Sequence, residues 1–490
     1  MTLAATPKNV LLITPPYHYG LADVLGSWVP LNLVYLAGAA REAGFSVEIY
    51  DALNKKHGYP EIEAHLCRAA ADVVAVSACT ATVNEALKTL ELARKLNPAV
   101  VTVMGGVHAS YLYREVLEQN PAVDYVVIGE GEASFAELLC ALRDGADCSQ
   151  VAGIALRNGQ EVVRTRVRPL EADLDRLATA WDLVDWPDYT YNVMPGSRLG
   201  AVSTSRGCEH DCTFCSQREF WQHCWRGRDP QRVVEELACV HRRFGVTLFQ
   251  VSDEHPTRDA ARWEALLDLL IERGLPIQFL METRPGDLVR DREILGKYRL
   301  AGIIHVSIGA ESREQARLDQ MKKGLELGEV RQAVELLRQH GIVSELSFVL
   351  GHPDETPQSV AQTLKLAQDI NPDSANFLAL TPWPYSELYR ELGGYLRETD
   401  YARYNLIDPV LEPEQMTLLQ LELSLVDCFR KFYMGKVMEV MLMKDEFRRG
   451  YMVRATKIIM ASPFVFKKFG QLVMGRVPEK LGEMMQKKKG

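Results

Sequence analysis

The chain has 490 residues, 47% of them apolar and 25% charged, and a net charge of −9, which is length for two or three domains, each with its own core. Ten cysteines in so long a chain, with no charged-then-apolar leader before residue 8, argue against secretion and a disulfide framework. No apolar run approaches the ~20 residues that a spanning helix needs, so a cytoplasmic protein with no nucleic-acid partner is expected.

Buried strand patterns at residues 10–13, 46–50, 73–77, 101–104 and 125–128 alternate with helical patterns such as 31–43 and 84–96. This alternation predicts a doubly wound, Rossmann-like α/β domain over residues 1–150, a parallel sheet covered on both faces. Ligands of such sheets sit beyond the carboxyl ends of the strands. Those ends bear Pro16, Ser77, the pair Gly105 and Gly106, His108, Gly129 and Glu130, and glycines there let the backbone approach a bulky ligand. Together the turns resemble the cobalamin-binding domain, which implies that these seven residues line a cobalamin site. Where the histidine-on form of that domain carries Asp-x-His-x-x-Gly, this chain has Asp51-Ala-Leu-Asn54. No histidine is therefore expected on the cobalt; His18 or His108 would be the source of any axial nitrogen.

After a linker at 151–194, strand patterns at 200–205, 247–252, 277–281, 303–308, 344–350 and 375–380 predict a partial (β/α)6 barrel over 195–385, with active groups at the carboxyl ends of its strands. The first strand runs into Cys208, Cys212 and Cys215, a CxxxCxxC spacing with Phe214 before the last thiol. Three thiolates can hold three irons of a [4Fe-4S] cube. Such clusters are normally closed by four cysteines, so another group must complete the fourth iron. A structural zinc site is the alternative; it wants four closed ligands, with His210, His223 or Cys224 as the fourth, although no second CxxC follows. The spacing resembles the radical SAM superfamily, where S-adenosylmethionine chelates the open iron and is cleaved to a 5′-deoxyadenosyl radical. That resemblance implies Asp253 and Glu254 for the amino group of S-adenosylmethionine, Arg284 for its carboxylate, and Glu311 with Ser312 for its ribose.

The remaining residues, 386–490, read as a helical, basic region. From residue 430 onward there are 15 Lys and Arg against 5 Asp and Glu, with 9 of the 15 methionines of the chain. A cationic, Met-rich helical segment suits a flat anionic ligand or a membrane face; a core-packing helix with solvated lysines is the plainer alternative. Peripheral membrane contact is expected from Lys467 onward.

The stretches CSQREFW at 215–221, RGRDP at 226–230, DEHP at 253–256, HVSIG at 305–309, TPWP at 381–384 and RKFYM at 430–434 resemble the oxygen-independent magnesium-protoporphyrin IX monomethyl ester oxidative cyclases of bacteriochlorophyll synthesis, over essentially the whole chain. The resemblance implies three cofactors: a [4Fe-4S] cluster, S-adenosylmethionine and cobalamin. It also implies a tetrapyrrole substrate and an external electron donor of the flavodoxin or ferredoxin type. Substrate would be walled by Trp221, Trp225, Trp383 and Tyr385, its propionate paired by Arg226 or Arg228, and the slot capped near Tyr433. Two other readings share these residues: a cobalamin-dependent radical SAM methyltransferase, and a tetrapyrrole or cobalamin carrier with a structural cluster.

Overall fold

The computed structural model describes residues 8–17 and 22–461; His18 and the segment from Lys467 onward lie outside the described residues. Seven strands form the first sheet: β1 (Asn9–Thr14), β2 (Ser46–Asp51), β3 (Val73–Ser77), β4 (Val101–Gly105), β5 (Tyr125–Val127), β6 (Ile154–Asn158) and β7 (Glu161–Arg164), in the order β2-β1-β3-β4-β5-β6-β7. The first five are parallel and the last two antiparallel. Successive side chains of a strand point to opposite faces, and both faces here are apolar. Leu11, Ile13, Val74 and Val76 pack under the helices Tyr59–Ala69 and Val83–Leu96, while Val10, Leu12, Val73 and Ala75 pack under the helices Leu31–Glu42 and Glu132–Asp144. The hairpin of β6 and β7 carries this sheet to residue 164, so the linker expected from residue 151 begins only after it.

The second sheet starts with β8 (Leu199–Val202). A two-residue ribbon, β9 (Ser205–Arg206) and β10 (Arg226–Gly227), follows, and then come β11 (Leu248–Val251), β12 (Gln278–Thr283), β13 (Ile303–Glu311), β14 (Val343–Leu350) and β15 (Ser374–Ala379). Apart from the ribbon, these strands run parallel in the order β8-β11-β12-β13-β14-β15. The intervening helices are punctuated as their sequences dictate. Asp229, Asp259 and Thr356 accept from amides of the first turns, Pro230 and Pro357 stand at the first helical positions, and Gly245 and Gly274 close the ends in left-handed conformation. Outward residues such as Phe279, Val306, Phe348 and Phe377 join the core under these helices. The inward set includes Gln250, Glu282, His305, Ser307, Glu345, Ser347 and Asn376, none of them buried.

The two ends of the barrel are closed differently. The helix Glu446–Met460 lies across the amino end, packing Tyr451, Met452 and Ala455 on Leu199, Leu248, Leu280 and Val343. At the carboxyl end residues 387–416 form only short helical pieces, Glu387–Glu391, Gly393–Tyr395 and Tyr401–Arg403, joined by loops; Ala379 donates to the Leu406 carbonyl at 2.7 Å and Glu414 to that of Pro353 at 2.8 Å. The helix Leu418–Leu442 lies on the flank, with Leu421, Leu425, Phe432 and Tyr433 against the core and Met434, Met438 and Met441 exposed.

The amino-end helix is held by one interior ion pair. Arg448 reaches Asp373 at 2.5 Å with side chains 7% and 2% exposed, and Asp373 also accepts from the Ser344 amide at 2.9 Å. Removing one partner of such a pair leaves an uncompensated buried charge, a cost of about 3–5 kcal/mol. Arg448→Ala should therefore lower the stability to urea by that amount; a change under about 1 kcal/mol would show that this helix is not part of the cooperative fold.

Candidate active site

The site is built where β8 leaves the barrel and the chain turns into the cysteine loop. Asp253, just past β11, is buried and accepts from the Thr204 amide (2.7 Å), the Thr204 hydroxyl (2.6 Å) and the Ser205 hydroxyl (2.6 Å). Its oxygens are thus engaged in holding the turn, and burial pushes its carboxyl up. Glu254 accepts from the Gly207 amide at 3.0 Å and from Trp221 Nε1 at 2.8 Å. The pair expected to meet S-adenosylmethionine is therefore first a clamp on the entry to the cysteine loop. Gly207 has φ +93°, and any Cβ there would run into the Cys224 carbonyl; this turn requires glycine.

Cys208, Cys212 and Cys215 follow within one loop, close enough for their charges to act on each other. Among the described residues no three His, Cys, Asp or Glu side chains converge as on a single metal ion. Burial raises Cys208 and pushes Cys215 up to about 11, so it is bound metal that would keep these thiols deprotonated. The Gln217 amide lies 3.4 Å from Cys215 Sγ, a donor toward sulfur of the kind that tunes a cluster. Nearby, Phe214 lies under Lys323, whose Nζ is 5.6 Å from the ring centroid, and Lys323 pairs with Glu311 at 2.6 Å. Glu311 stands in left-handed conformation (φ +59°) where the pairing of β13 and β14 shifts register. Arg284 donates to the Lys323 and Gly324 carbonyls, and Ser312 accepts from the Glu314 amide at 3.2 Å. These residues sit around the carboxyl mouth of the barrel with the loop.

On the side facing the first domain, a cavity of about 290 Å³ lies between the two sheets. It is lined by Ser77, Gly105, Gly106, Gly129 and Glu130 from the strand ends of the first domain and by Arg206, Trp221 and Glu254 from the barrel, and apolar residues such as Leu12, Ala75, Val103 and Phe135 form its depth. This space takes one arm of a large cofactor rather than the whole. One rim position has no room for a side chain: at Gly106, φ +92°, a Cβ would lie 2.7 Å from the Ala78 nitrogen. Glycine-edged turns over an apolar slot fit a corrinoid approached by backbone.

Three expected residues stand elsewhere. Pro16 lies past the end of β1 and does not line the cavity. His108 is buried with Nδ1 3.2 Å from the Thr80 hydroxyl and its ring against Tyr401, and burial pushes it down to about 4. Tyr433 is buried on the barrel flank, its hydroxyl 3.4 Å from the carbonyl of Ala375 at the start of β15. That is the opposite end from the cysteine loop, so Tyr433 caps nothing there; residues 387–416 do. Trp383 packs at the mouth with Phe214, Val349 and Tyr389, and Tyr385 stacks on Tyr111 at 4.3 Å.

Arg226, expected to meet a propionate, is already paired. Glu130 bridges Arg226 (2.9 Å) and Arg206 (3.1 Å) and accepts from the Glu171 amide at 2.8 Å, and both guanidiniums lie over the Trp221 ring. Arg228 is likewise taken, by Asp175 and Glu236. The missed members of this network, Arg206, Glu132 and Tyr35, have no motif of their own; only the contact between domains brings them together.

Residues 17–139 match the B12 binding domain family and residues 202–367 the Radical SAM superfamily, so the chain is a cobalamin-binding-domain radical SAM protein. It is 35% identical over 96% of its length to the anaerobic magnesium-protoporphyrin IX monomethyl ester cyclase of Rubrivivax gelatinosus, covering 85% of that protein, and 34% identical over 88% to the same-named protein of Cereibacter sphaeroides, covering 71%. The chain belongs to the anaerobic magnesium-protoporphyrin IX monomethyl ester cyclase family. In fold it is similar to the radical S-adenosylmethionine methyltransferase TsrM of Kitasatospora setae, with a TM-score of 0.66 at 20% identity, covering 79% of this chain and 75% of that one.

Two measurements check this site. Burial by itself would raise the Glu130 carboxyl, but the bond to Arg226 and the charges of Arg206 and Arg226 outweigh it and hold it below its ordinary 4.5. A depressed carboxylate contributes stability that is full above the unfolded value and lost as pH falls through the folded one. Glu130→Gln should cost about 1.5–3 kcal/mol at neutral pH and flatten the decline of thermal stability below 4.5; an unchanged acid limb would show the hub to be energetically idle. Gly106→Ala should abolish uptake of cobalamin, read by corrin absorbance after gel filtration, and retention of the corrin would remove this turn from the cradle.

Proposed function

We propose that this chain closes the isocyclic ring of magnesium-protoporphyrin IX monomethyl ester without O2. The observation that carries the reading is the cysteine loop standing between a glycine-edged cavity and the mouth of a polar-lined barrel, in a chain that matches the cyclases nearly end to end. Cys208, Cys212 and Cys215 would hold a [4Fe-4S] cluster. Arg284, Glu311 and Ser312 would hold S-adenosylmethionine, and Ser77, Gly105, Gly106 and Gly129 would border cobalamin. These groups supply the radical and one-electron chemistry, and the protein positions them.

The residues of the chain orient and exclude. Asp253 and Glu254 hold the turn into the loop, so that the cluster ligands start from a rigid element. The aromatic wall of Phe214, Trp383 and Tyr389 at the mouth suits one face of a flat macrocycle. Substrate enters on that side, and a flavodoxin- or ferredoxin-type donor is the proposed source of electrons. The exposed Met434, Val437, Met438 and Met441 on the helix Leu418–Leu442 offer an apolar face for peripheral membrane contact.

A methyltransferase is the second reading, favoured by the shared fold with TsrM. Mass separates the two: ring closure with oxygen insertion gains one oxygen and loses four hydrogens, whereas methylation gains one carbon and two hydrogens. The reconstituted protein should therefore convert magnesium-protoporphyrin IX monomethyl ester anaerobically to the first of these, with oxygen from labelled water; a methylated product in its place would establish the second. Cys212→Ala should lose both the cluster chromophore and 5′-deoxyadenosine formation, while Cys224→Ala keeps both. Loss of the chromophore in Cys224→Ala would indicate a four-cysteine site.

A further inference from the structure

Of the three carboxylates that face the inside of the barrel, two are already held. Glu345 on β14 accepts from the hydroxyls of Ser307 (3.0 Å) and Ser374 (2.8 Å), and Glu311 at the end of β13 pairs with Lys323 at 2.6 Å. The Glu282 side chain on β12 has neither a hydrogen bond nor an ion pair among the described residues; its surface is open, but to the space inside the barrel, deep within the molecule. Its neighbours fix its direction. Phe279 and Met281 point outward into the helix-covered core, and Leu280 points inward to the floor, so Glu282 opens onto the interior space one alternation above that floor. Arg284, the next inward position, stands close enough to Cys208 for its charge to act on the thiol. A two-residue step along a strand is roughly 6.8 Å, which sets Glu282 that far below the mouth where the cysteine loop lies. The floor beneath is sealed: the Tyr451 hydroxyl joins His305 Nδ1 (2.7 Å) and the Tyr191 hydroxyl (2.6 Å).

We infer that Glu282 is the general base that takes the proton from the water whose oxygen enters the substrate. The inference rests on the cyclase reading. In balanced form, the hydrogen of a substrate C–H bond leaves as an atom to the 5′-deoxyadenosyl fragment as the C–S bond of S-adenosylmethionine breaks. One electron leaves the substrate carbon and restores the one the cluster gave. The water oxygen bonds to that carbon and its O–H bond breaks, the proton passing to Glu282. Substrate, S-adenosylmethionine and water thus give alcohol, methionine, 5′-deoxyadenosine and one proton; the sulfonium supplies the oxidation and its positive charge balances the proton. A base must stand free of other partners within the closed space to do this.

The groups facing Glu282 set its pH dependence. Burial first, then the charges of Glu345 and Glu311, raise its carboxyl, and Lys323 opposes them. A base acts when ionised, so product formation should rise with pH through a value above the ordinary carboxylate range.

The test uses the anaerobically reconstituted holoenzyme with magnesium-protoporphyrin IX monomethyl ester deuterated at the reacting CH2, in labelled water across a pH series. Glu282→Gln should retain the cluster and corrin absorbance and still move deuterium into 5′-deoxyadenosine. Its oxygenated product should fall on the order of 10²-fold, and the rise of rate with pH should vanish. Glu282→Asp should recover part of the rate with the pH limb displaced. Wild-type product rates with an unaltered pH limb in Glu282→Gln would overturn the inference, as would a parallel loss of deuterated 5′-deoxyadenosine, which would make Glu282 a binding residue. Should Glu282→Gln lose its absorbance bands, an undisplaced limb in Glu282→Asp would overturn it equally. A wild-type enzyme that adds methyl and no water oxygen defeats the cyclase reading itself, before any variant is made.

Discussion

One carboxylate, Glu130, joins the two halves of this protein. It comes from the turn after β5, and it meets Arg206 on β9 and Arg226 on β10, the two strands that enter and leave the cysteine-bearing segment. With its side chain 8% exposed, this acid is affordable only because two guanidiniums and an amide saturate it. Both guanidiniums also lie over Trp221, whose indole nitrogen donates to Glu254. A displacement of the first domain would therefore be felt at Gly207 and at the first cysteine through four consecutive contacts, the last from Glu254 to the Gly207 amide. This polar chain sets the geometry at the cysteine loop beside an apolar contact, in which Val29 and Val34 of the first domain share one core with Trp181, Trp186 and barrel residues such as Val202 and Val233.

Much of this architecture was legible in the sequence, because periodicity and punctuation report on local structure. Apolar runs announced β1, β3, β4 and β12 to β15, and CxxxCxxC announced the loop. What stayed hidden depended on pairing across long separations. Nothing near residue 130 says that its partners are at 206 and 226. A run of buried β-strand character identifies β6 and β7 poorly, since the hairpin is short and only three of its nine strand residues are buried. Tyr433 was misplaced for a related reason. Its helix is apolar on more than one side, with Phe432 and Tyr433 inward and Met434 and Met438 outward, so sequence alone could not say which side met the barrel, or at which end.

Residues expected to touch ligands turned out to hold other residues. Asp253 secures Thr204 and Ser205, and Arg228 is bound between Asp175 and Glu236. Strand ends of a barrel collect polar side chains whether or not they meet substrate, and a sequence motif cannot distinguish a clamp from a contact. Their value to function is indirect. A loop carrying three cluster ligands gains its precision from groups whose own positions are fixed by hydrogen bonds, and Asp253, with three such bonds, is the most constrained of them.

The inside of the barrel argues in the same direction. A barrel built for stability fills its interior with branched apolar side chains, and here the floor does so, with Leu199, Leu248, Leu280 and Val343 under the helix Glu446–Met460. Above that floor the inward positions include Gln250, Glu282, Ser307, Glu345, Ser347 and Asn376, with Val349 and Leu378 apolar toward the mouth. Lining an enclosed space with polar groups costs stability unless water or ligand satisfies them. The outer face of the same strands, with Phe249, Phe279, Phe348 and Phe377 buried, recovers through packing what the interior forgoes. The strands thus divide their work by alternation, one face for cohesion and the other for chemistry, and the sealed floor leaves the carboxyl mouth as the side on which that interior meets the cysteine loop.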